Sequence, residues 1–100
     1  MKMGIKVFKL ISGEELIGSV TAGSDAGYFV EDAATIMLQP TEKGIGVGLA
    51  PYMPYTEGKV YLFKHAIASE AEPAVAMRNE YSRMFGSGIE IASAGSVFTG

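Results

Sequence analysis

The sequence predicts a mainly β domain, a small antiparallel barrel, followed by one C-terminal helix. Short segments alternate apolar and polar residues, and turn clusters separate them at a spacing of about 8–12 residues. Near the end, the apolar spacing changes to every third or fourth residue. With 100 residues the chain has the length of one domain. We therefore place a single domain over 1–100, with the barrel at about 4–71, the helix at about 72–85 and a tail at 86–100.

The first two strands are predicted to form a hairpin. Lysines alternate with apolar residues from Gly4 to Ile11, and a second apolar segment runs from Leu16 to Thr21. Gly13 lies in the polar cluster between them, which is typical of a tight turn. Gly18 lies inside the second strand, where glycine usually marks a bend, a bulge or a close approach.

The middle of the chain predicts two further strands. The first runs from Tyr28 to Gln39 with a break near Glu31–Asp32, and it ends at Pro40 because proline cannot donate to a ladder. The second runs from Ile45 to Ala50, where glycines alternate with apolar residues and leave one face bare. A phosphate-binding loop is the less favoured interpretation, because the glycine spacing differs from the dinucleotide fingerprint and no helix follows.

The last third of the chain predicts a loop, two strands and the helix. Residues 51–58 form a surface loop in our interpretation, and their Pro-x-x-Pro spacing leaves open a polyproline ligand for a partner. Lys59–Lys64 and Ala66–Ala68 predict strands. Apolar side chains at helical spacing predict an amphipathic helix over Pro73–Phe85. Ile89–Ile91 is a further strand candidate in the tail.

Composition excludes several classes of protein. Hydrophobic residues make up 48% of the chain and charged residues 19%, which excludes a disordered chain. Cysteine is absent and His65 is the one histidine, so neither disulfides nor a multi-histidine metal centre is expected. No apolar run approaches the roughly 20 residues of a membrane span. We expect a cytoplasmic protein without cofactor or metal.

The residues do not predict an enzyme. A catalytic triad needs a nucleophile, a base and an orienting acid, and Ser69 near His65 has no supporting motif. The acidic pairs Glu14–Glu15 and Glu31–Asp32 are adjacent in sequence, so on a strand their side chains point to opposite faces. We therefore assign no catalytic residue.

Two segments resemble the Sm-like (LSm) superfamily, especially its Hfq branch. Leu10–Val20 fits the pattern L-x-x-G-x-x-h-x-G-x-h, where h is apolar and the two glycines are Gly13 and Gly18. Phe63–Ile67 is similar to the Lys-His-Ala-Ile run that joins the fourth and fifth strands of Hfq-like domains. The resemblance implies a strongly bent five-stranded Sm-like (SH3-like) barrel. It also implies a homo-oligomeric ring of roughly five to seven subunits, closed by pairing of the fourth strand with the fifth strand of the next subunit.

The resemblance further implies single-stranded RNA as the ligand. Tyr28 would stack on a base, Lys64 would supply charge or a base-edge hydrogen bond, and His65 a polar contact. The chain departs from the Hfq pattern because it begins in a strand and carries its helix after the fifth strand. Its segment from Gln39 to Lys59 is also longer, which is consistent with a divergent, phage-type member.

A second interpretation is a structural or protein-interaction ring with no nucleic-acid ligand. A net charge of −3 gives no basic surface that would follow phosphates. In this interpretation Lys64 is a solvated turn residue, and His65 is a packing residue in the ring of subunits. The apolar excess, the loop at 51–58 and the helix would then serve protein contacts.

Overall fold

A computed structural model of the protein describes residues 4–85. This part of the chain forms six strands, a short 3-10 turn and one helix: β1 (Gly4–Leu10), β2 (Glu15–Gly23), β3 (Gly27–Thr41), β4 (Gly44–Pro51), β5 (Lys59–Phe63), the turn (Lys64–Ala66), β6 (Ile67–Ala71) and α1 (Val75–Phe85). The prediction of a mainly β fold with one helix after the strands is confirmed. The strand candidate Ile89–Ile91 and the tail lie outside the described residues.

The strands form an antiparallel sheet in the order β4-β3-β2-β1-β6, and β5 lies beside the first half of β3. β3 therefore has two partners on one edge, because Gly27–Glu31 pair with β5 and Ala34–Thr41 pair with β4. Within residues 4–85, β5 and β6 do not pair with each other, so the sheet is not closed. An antiparallel sheet is thus established, and its closure into a barrel stays a prediction.

The long strand β3 bends where a break was predicted. Its ladder with β2 changes register there, so that Asp32 and Ala33 both lie opposite the single residue Gly18. Asp32 has a left-handed backbone with φ of 53°. A Cβ atom at Gly18 would overlap Cγ1 of the buried Val30. The bulge on β3 therefore requires glycine on the facing strand.

Gly13 is required for a different reason. It lies in the turn between β1 and β2, where its N–H donates to the carbonyl of Leu10 at 2.9 Å. Its φ is +98°, and the space that a Cβ atom would occupy is open. The backbone conformation, and not crowding, favours glycine at this turn.

Two hydrophobic clusters lie on opposite faces of the sheet because successive side chains along each strand alternate. The buried members of the first cluster are Phe8, Leu10, Leu16, Val20, Tyr28, Val30 and Leu62. The buried members of the second are Ile17, Ala34 and Tyr81, with Ile5, Val7, Ile36, Leu49, Met77 and Phe85 packed around them. Helix α1 therefore covers the second face.

Tyr81 joins helix α1 to the bulge of β3. Its hydroxyl lies 3.0 Å from Oγ of Ser19, and 3.2 and 3.0 Å from the carbonyl oxygens of Glu31 and Asp32. Tyr81 is 3% exposed, and this burial raises the pKa of its hydroxyl to about 12. The helix is thus held by a hydroxyl that can donate to the bulge only while it is protonated.

The substitution Gly18→Ala should destabilise the fold by about 1–3 kcal/mol, because the new methyl group overfills the space against Val30. Adding Val30→Ala should make room, so the double variant should be more stable than the sum of the two single losses by about 1 kcal/mol. Urea unfolding of the four proteins measures this coupling. Gly13→Ala is the matched control, and Val30→Ala should not relieve its cost. If the losses caused by Gly18→Ala and Val30→Ala simply add in the double variant, the predicted clash is contradicted.

The substitution Tyr81→Phe should cost about 1–3 kcal/mol at pH 8, because bulge carbonyls lose a buried donor. An unfolded tyrosine ionises near pH 10, whereas Tyr81 in the folded chain ionises near pH 12. The wild type should therefore lose this contribution as pH rises from about 10 to 12, and the gap between wild type and variant should shrink. Urea unfolding at pH 8, 10 and 11 tests this. If the difference in the free energy of unfolding between wild type and Tyr81→Phe does not change with pH, the folded chain does not hold Tyr81 in its neutral form.

Candidate functional site

Two of the three predicted RNA contacts, Tyr28 and Lys64, meet at the end of β5. Tyr28 lies on β3, and the 3-10 turn after β5 carries Lys64 and His65. The backbone N–H of Lys64 donates to the carbonyl of Ala26 at 2.8 Å, which fixes this turn beside the start of β3. The Nζ atom of Lys64 then lies 5.1 Å from the centre of the Tyr28 ring, in cation–π contact.

The Tyr28 ring belongs to the first hydrophobic cluster. It is 7% exposed and packs against Phe8, with the ring centres 5.5 Å apart. Its hydroxyl donates to Oε2 of Glu70 at 2.7 Å, and this bond to a carboxylate raises the pKa of Tyr28. Stacking of a base on Tyr28 stays a prediction, and it requires at least that Lys64 leave the ring.

Charged side chains next to this site pair with one another. Nζ of Lys6 lies 3.9 Å from Glu70 and 3.8 Å from Glu72, and Glu72 is also 3.7 Å from Arg78. These contacts link β1, β6 and the start of α1. Lys64, in contrast, makes no ion pair with any of residues 4–85. Lys64 is exposed, and its ammonium is held over the Tyr28 ring.

His65 continues a row of aromatic rings that the sequence reasoning missed. We call Phe29, Tyr61, Phe63 and His65 the aromatic strip. The ring centres are 4.7 Å apart for Phe29–Tyr61, 5.0 Å for Tyr61–Phe63 and 5.5 Å for Phe63–His65. Phe29 is 44% exposed and Phe63 is 51% exposed. The strip is therefore a solvent-facing aromatic surface.

The register of β3 and β5 builds this strip. Phe29 pairs with Tyr61, and Phe63 pairs with Gly27, which has no side chain to cover the rings. The Tyr61 hydroxyl lies 3.2 Å from Oγ of Ser24. Part of the signal was present in the sequence, because Lys59, Tyr61 and Phe63 point to the same face of an extended strand. His65 follows in the 3-10 turn, and the structure shows its ring stacked on Phe63.

An open apolar groove of about 440 Å³ runs along β5. Its lining includes Leu10, Tyr52, Met53, Leu62 and Ala66, and also Tyr61 and Phe63 of the aromatic strip. The groove follows the edge of β5 that has no strand partner among residues 4–85. This arrangement leaves backbone donors and acceptors next to an apolar surface, which suits contact with another chain.

Comparison with known proteins adds no family assignment. No family model matches the chain, and no curated protein matches it significantly. In the described part of the chain, no three His, Asp or Glu side chains gather as a metal site would require. Between residues 4 and 85 no helix could cross a membrane, since α1 has only 11 residues.

The burial of Tyr28 predicts a large stability cost for its removal. Tyr28→Ala should destabilise the fold by about 3–5 kcal/mol, because it leaves a cavity beside Phe8. Tyr28→Phe keeps the ring and removes only the bond to the Glu70 carboxylate, so it should cost about 1.5–3 kcal/mol. Urea unfolding of both variants measures this. Equal costs for the two variants would contradict the packing described for the ring.

Proposed function

We propose that the protein assembles into a closed homo-oligomeric ring and binds single-stranded RNA at Lys64 and His65. The observation that carries the proposal is an edge without a strand partner among residues 4–85 on β4, on β5 and on β6; β5 and β6 lie at opposite ends of the sheet. Only the three-residue turn Lys64–Ala66 separates these two strands in sequence. Unpaired edges of this kind are templates for pairing with another chain.

Edge pairing between copies leads to a ring. If β5 of one copy pairs with β6 of the next, each copy uses two different surfaces, and such head-to-tail contacts generate closed rings when the rotation closes. Pairing would also bring a neighbour against the apolar groove beside β5. We expect roughly five to seven subunits, as in the Sm-like resemblance.

The strand order supports the Sm-like resemblance as well. Without β4, the sheet reads β6-β1-β2-β3-β5, which are five antiparallel strands with the candidate fourth and fifth strands at its ends. Gly13 lies at the first turn and Gly18 faces the bulge of β3, the two positions at which the first motif has glycine. The hairpin of β3 and β4 is then an insertion, and it accounts for the long segment before Lys59.

RNA binding would depend on the side chains that a ring repeats in every subunit. Each subunit would contribute one Lys64 that makes no ion pair within residues 4–85 and one exposed His65 close to the subunit boundary. Repetition of a weak site raises the overall affinity by effective concentration. A protomer with a net charge of −3 can therefore bind a polyanion if its free cations are gathered on one surface of the ring.

A protein-interaction ring is the second candidate, and the β3–β4 hairpin favours it. On one face of this hairpin Leu38 pairs with Val47 and Pro40 with Ile45. The side chains of Leu38, Val47 and Ile45 are exposed, and a groove of about 320 Å³ separates Val47 from helix α1. An exposed aliphatic face of this kind is typical of protein contacts.

The two candidates give different results in an RNA-binding experiment. Native mass spectrometry should first show a ring. Labelled oligo-U or oligo-A should then bind at low salt, and the affinity should fall steeply as salt is added. Lys64→Gln should weaken binding several-fold and reduce the salt slope by about 1, because it removes a charge and keeps the stem over Tyr28.

Lys43→Gln is the matched control, since Lys43 is exposed in the β3–β4 turn and likewise makes no ion pair with residues 4–85. It should leave RNA affinity unchanged. A ring that binds neither oligonucleotide at low salt would refute RNA binding and support the protein-interaction ring. A monomer at micromolar concentration would refute both.

A further inference from the structure

We infer that the aromatic strip (Phe29, Tyr61, Phe63 and His65) is a stacking surface for the unpaired bases of single-stranded nucleic acid. The inference rests on the proposed function and extends its site from Lys64 and His65 along the outer face of β5. It places the base contacts on exposed rings, whereas the predicted stacking residue Tyr28 lies in the core.

The rings of the strip are ordered before any ligand binds. Tyr61 lies edge-on between Phe29 and Phe63, with interplanar angles of 65° and 79°. Phe63 and His65 are nearly parallel at 24°. The backbone ladder of β3 and β5 fixes the spacing of the first three rings, so a ligand would order few side chains on binding.

The surroundings of the strip favour a nucleic acid over an apolar protein segment. Lys59 stands at one end on the same face as Tyr61, and the exposed Lys64 follows Phe63 in the turn at the other end, with its ammonium over the Tyr28 ring on the inner side of the sheet. The acidic residue opposite Lys59 is Glu31, which pairs with it at 3.5 Å. Exposed aromatic rings with cationic side chains nearby can take bases and phosphates together. The aliphatic face of the β3–β4 hairpin lacks such rings and fits a protein instead.

Assembly through strand edges would leave the outer faces of the strip's rings accessible. Pairing along β5 uses its backbone N–H and C=O groups, and the neighbour would meet Tyr61 and Phe63 only where they border the groove, because these side chains stand off the face of the sheet. Each subunit would then present one strip on its outer face. A single strand that follows the ring would meet the same stacking surface once in every subunit.

The experiment replaces rings by an aliphatic side chain of similar size. Phe29→Leu and Phe63→Leu keep apolar volume and remove the π faces. Tyr55→Leu is the control, because Tyr55 is 82% exposed and its ring contacts none of the rings of the strip. The probes are labelled oligo-U, oligo-A and an abasic oligonucleotide of the same length, measured by fluorescence anisotropy. Native mass spectrometry of every variant reports whether the ring is intact.

Each strip variant should weaken oligo-U and oligo-A binding about 5- to 150-fold, the change that corresponds to about 1–3 kcal/mol of stacking per base. The salt slope should not change, because the phosphate contacts remain. Tyr55→Leu should bind like the wild type. The abasic probe should bind weakly and equally to the wild type and to both strip variants.

Other outcomes overturn the inference in distinguishable ways. If the strip variants bind like the wild type while Lys64→Gln binds weakly, the strip is not the base site and the proposed function stands. If native mass spectrometry shows that the strip variants no longer form the ring, the strip is an interface between copies and not a base site. If the wild-type ring binds no oligonucleotide, the proposed RNA function fails and the strip fails with it.

Discussion

The bulge of β3 opposite Gly18 is the constraint on which the rest of the fold depends. A regular strand would offer one straight edge to one partner. The extra residue at Asp32–Ala33 turns the strand, so its first half can pair with β5 and its second half with β4 on the same edge. Such a bulge leaves carbonyls outside the regular ladder. The Tyr81 hydroxyl lies within hydrogen-bond distance of two of them, which couples the position of helix α1 to the bend of the sheet.

This bend also separates two surfaces of different chemistry. The half of β3 before the bulge, together with β5, carries the aromatic strip outside and part of the first hydrophobic cluster inside. The half after the bulge, together with β4, carries the aliphatic hairpin face next to α1. One strand therefore supplies both candidate contact surfaces. An RNA ligand and a protein partner would not compete for the same residues.

The alternation of apolar and polar residues was sufficient to predict most strands and the helix, and glycine spacing was sufficient to find the turn and the bend. The alternation does not say which face of a strand becomes the core. Tyr28 and Phe29 are adjacent aromatics, and only the register with β5 decides that Tyr28 points inward and Phe29 outward. The exposed row from Lys59 to Phe63 was readable from period-2 spacing, but its contact with Phe29 comes from another strand. The predicted stacking residue therefore differs from the exposed rings because the pairing register of distant strands could not be predicted from the sequence.

Net charge alone does not decide between the two candidate functions, because the charges of residues 4–85 are distributed unevenly. Lys6, Glu70, Glu72 and Arg78 form one paired row, and Lys59 is balanced by Glu31. These pairs contribute little field at a distance, since opposite charges a few ångströms apart largely cancel and salt screens the rest. Lys64 lacks such a partner within residues 4–85. At the end of β5, Lys64 therefore lies over the Tyr28 ring on the inner side of the sheet, while the aromatic strip lies on the outer side. A ring of subunits would repeat both features, together with acidic residues such as Asp25 and Glu57 that make no ion pair within residues 4–85.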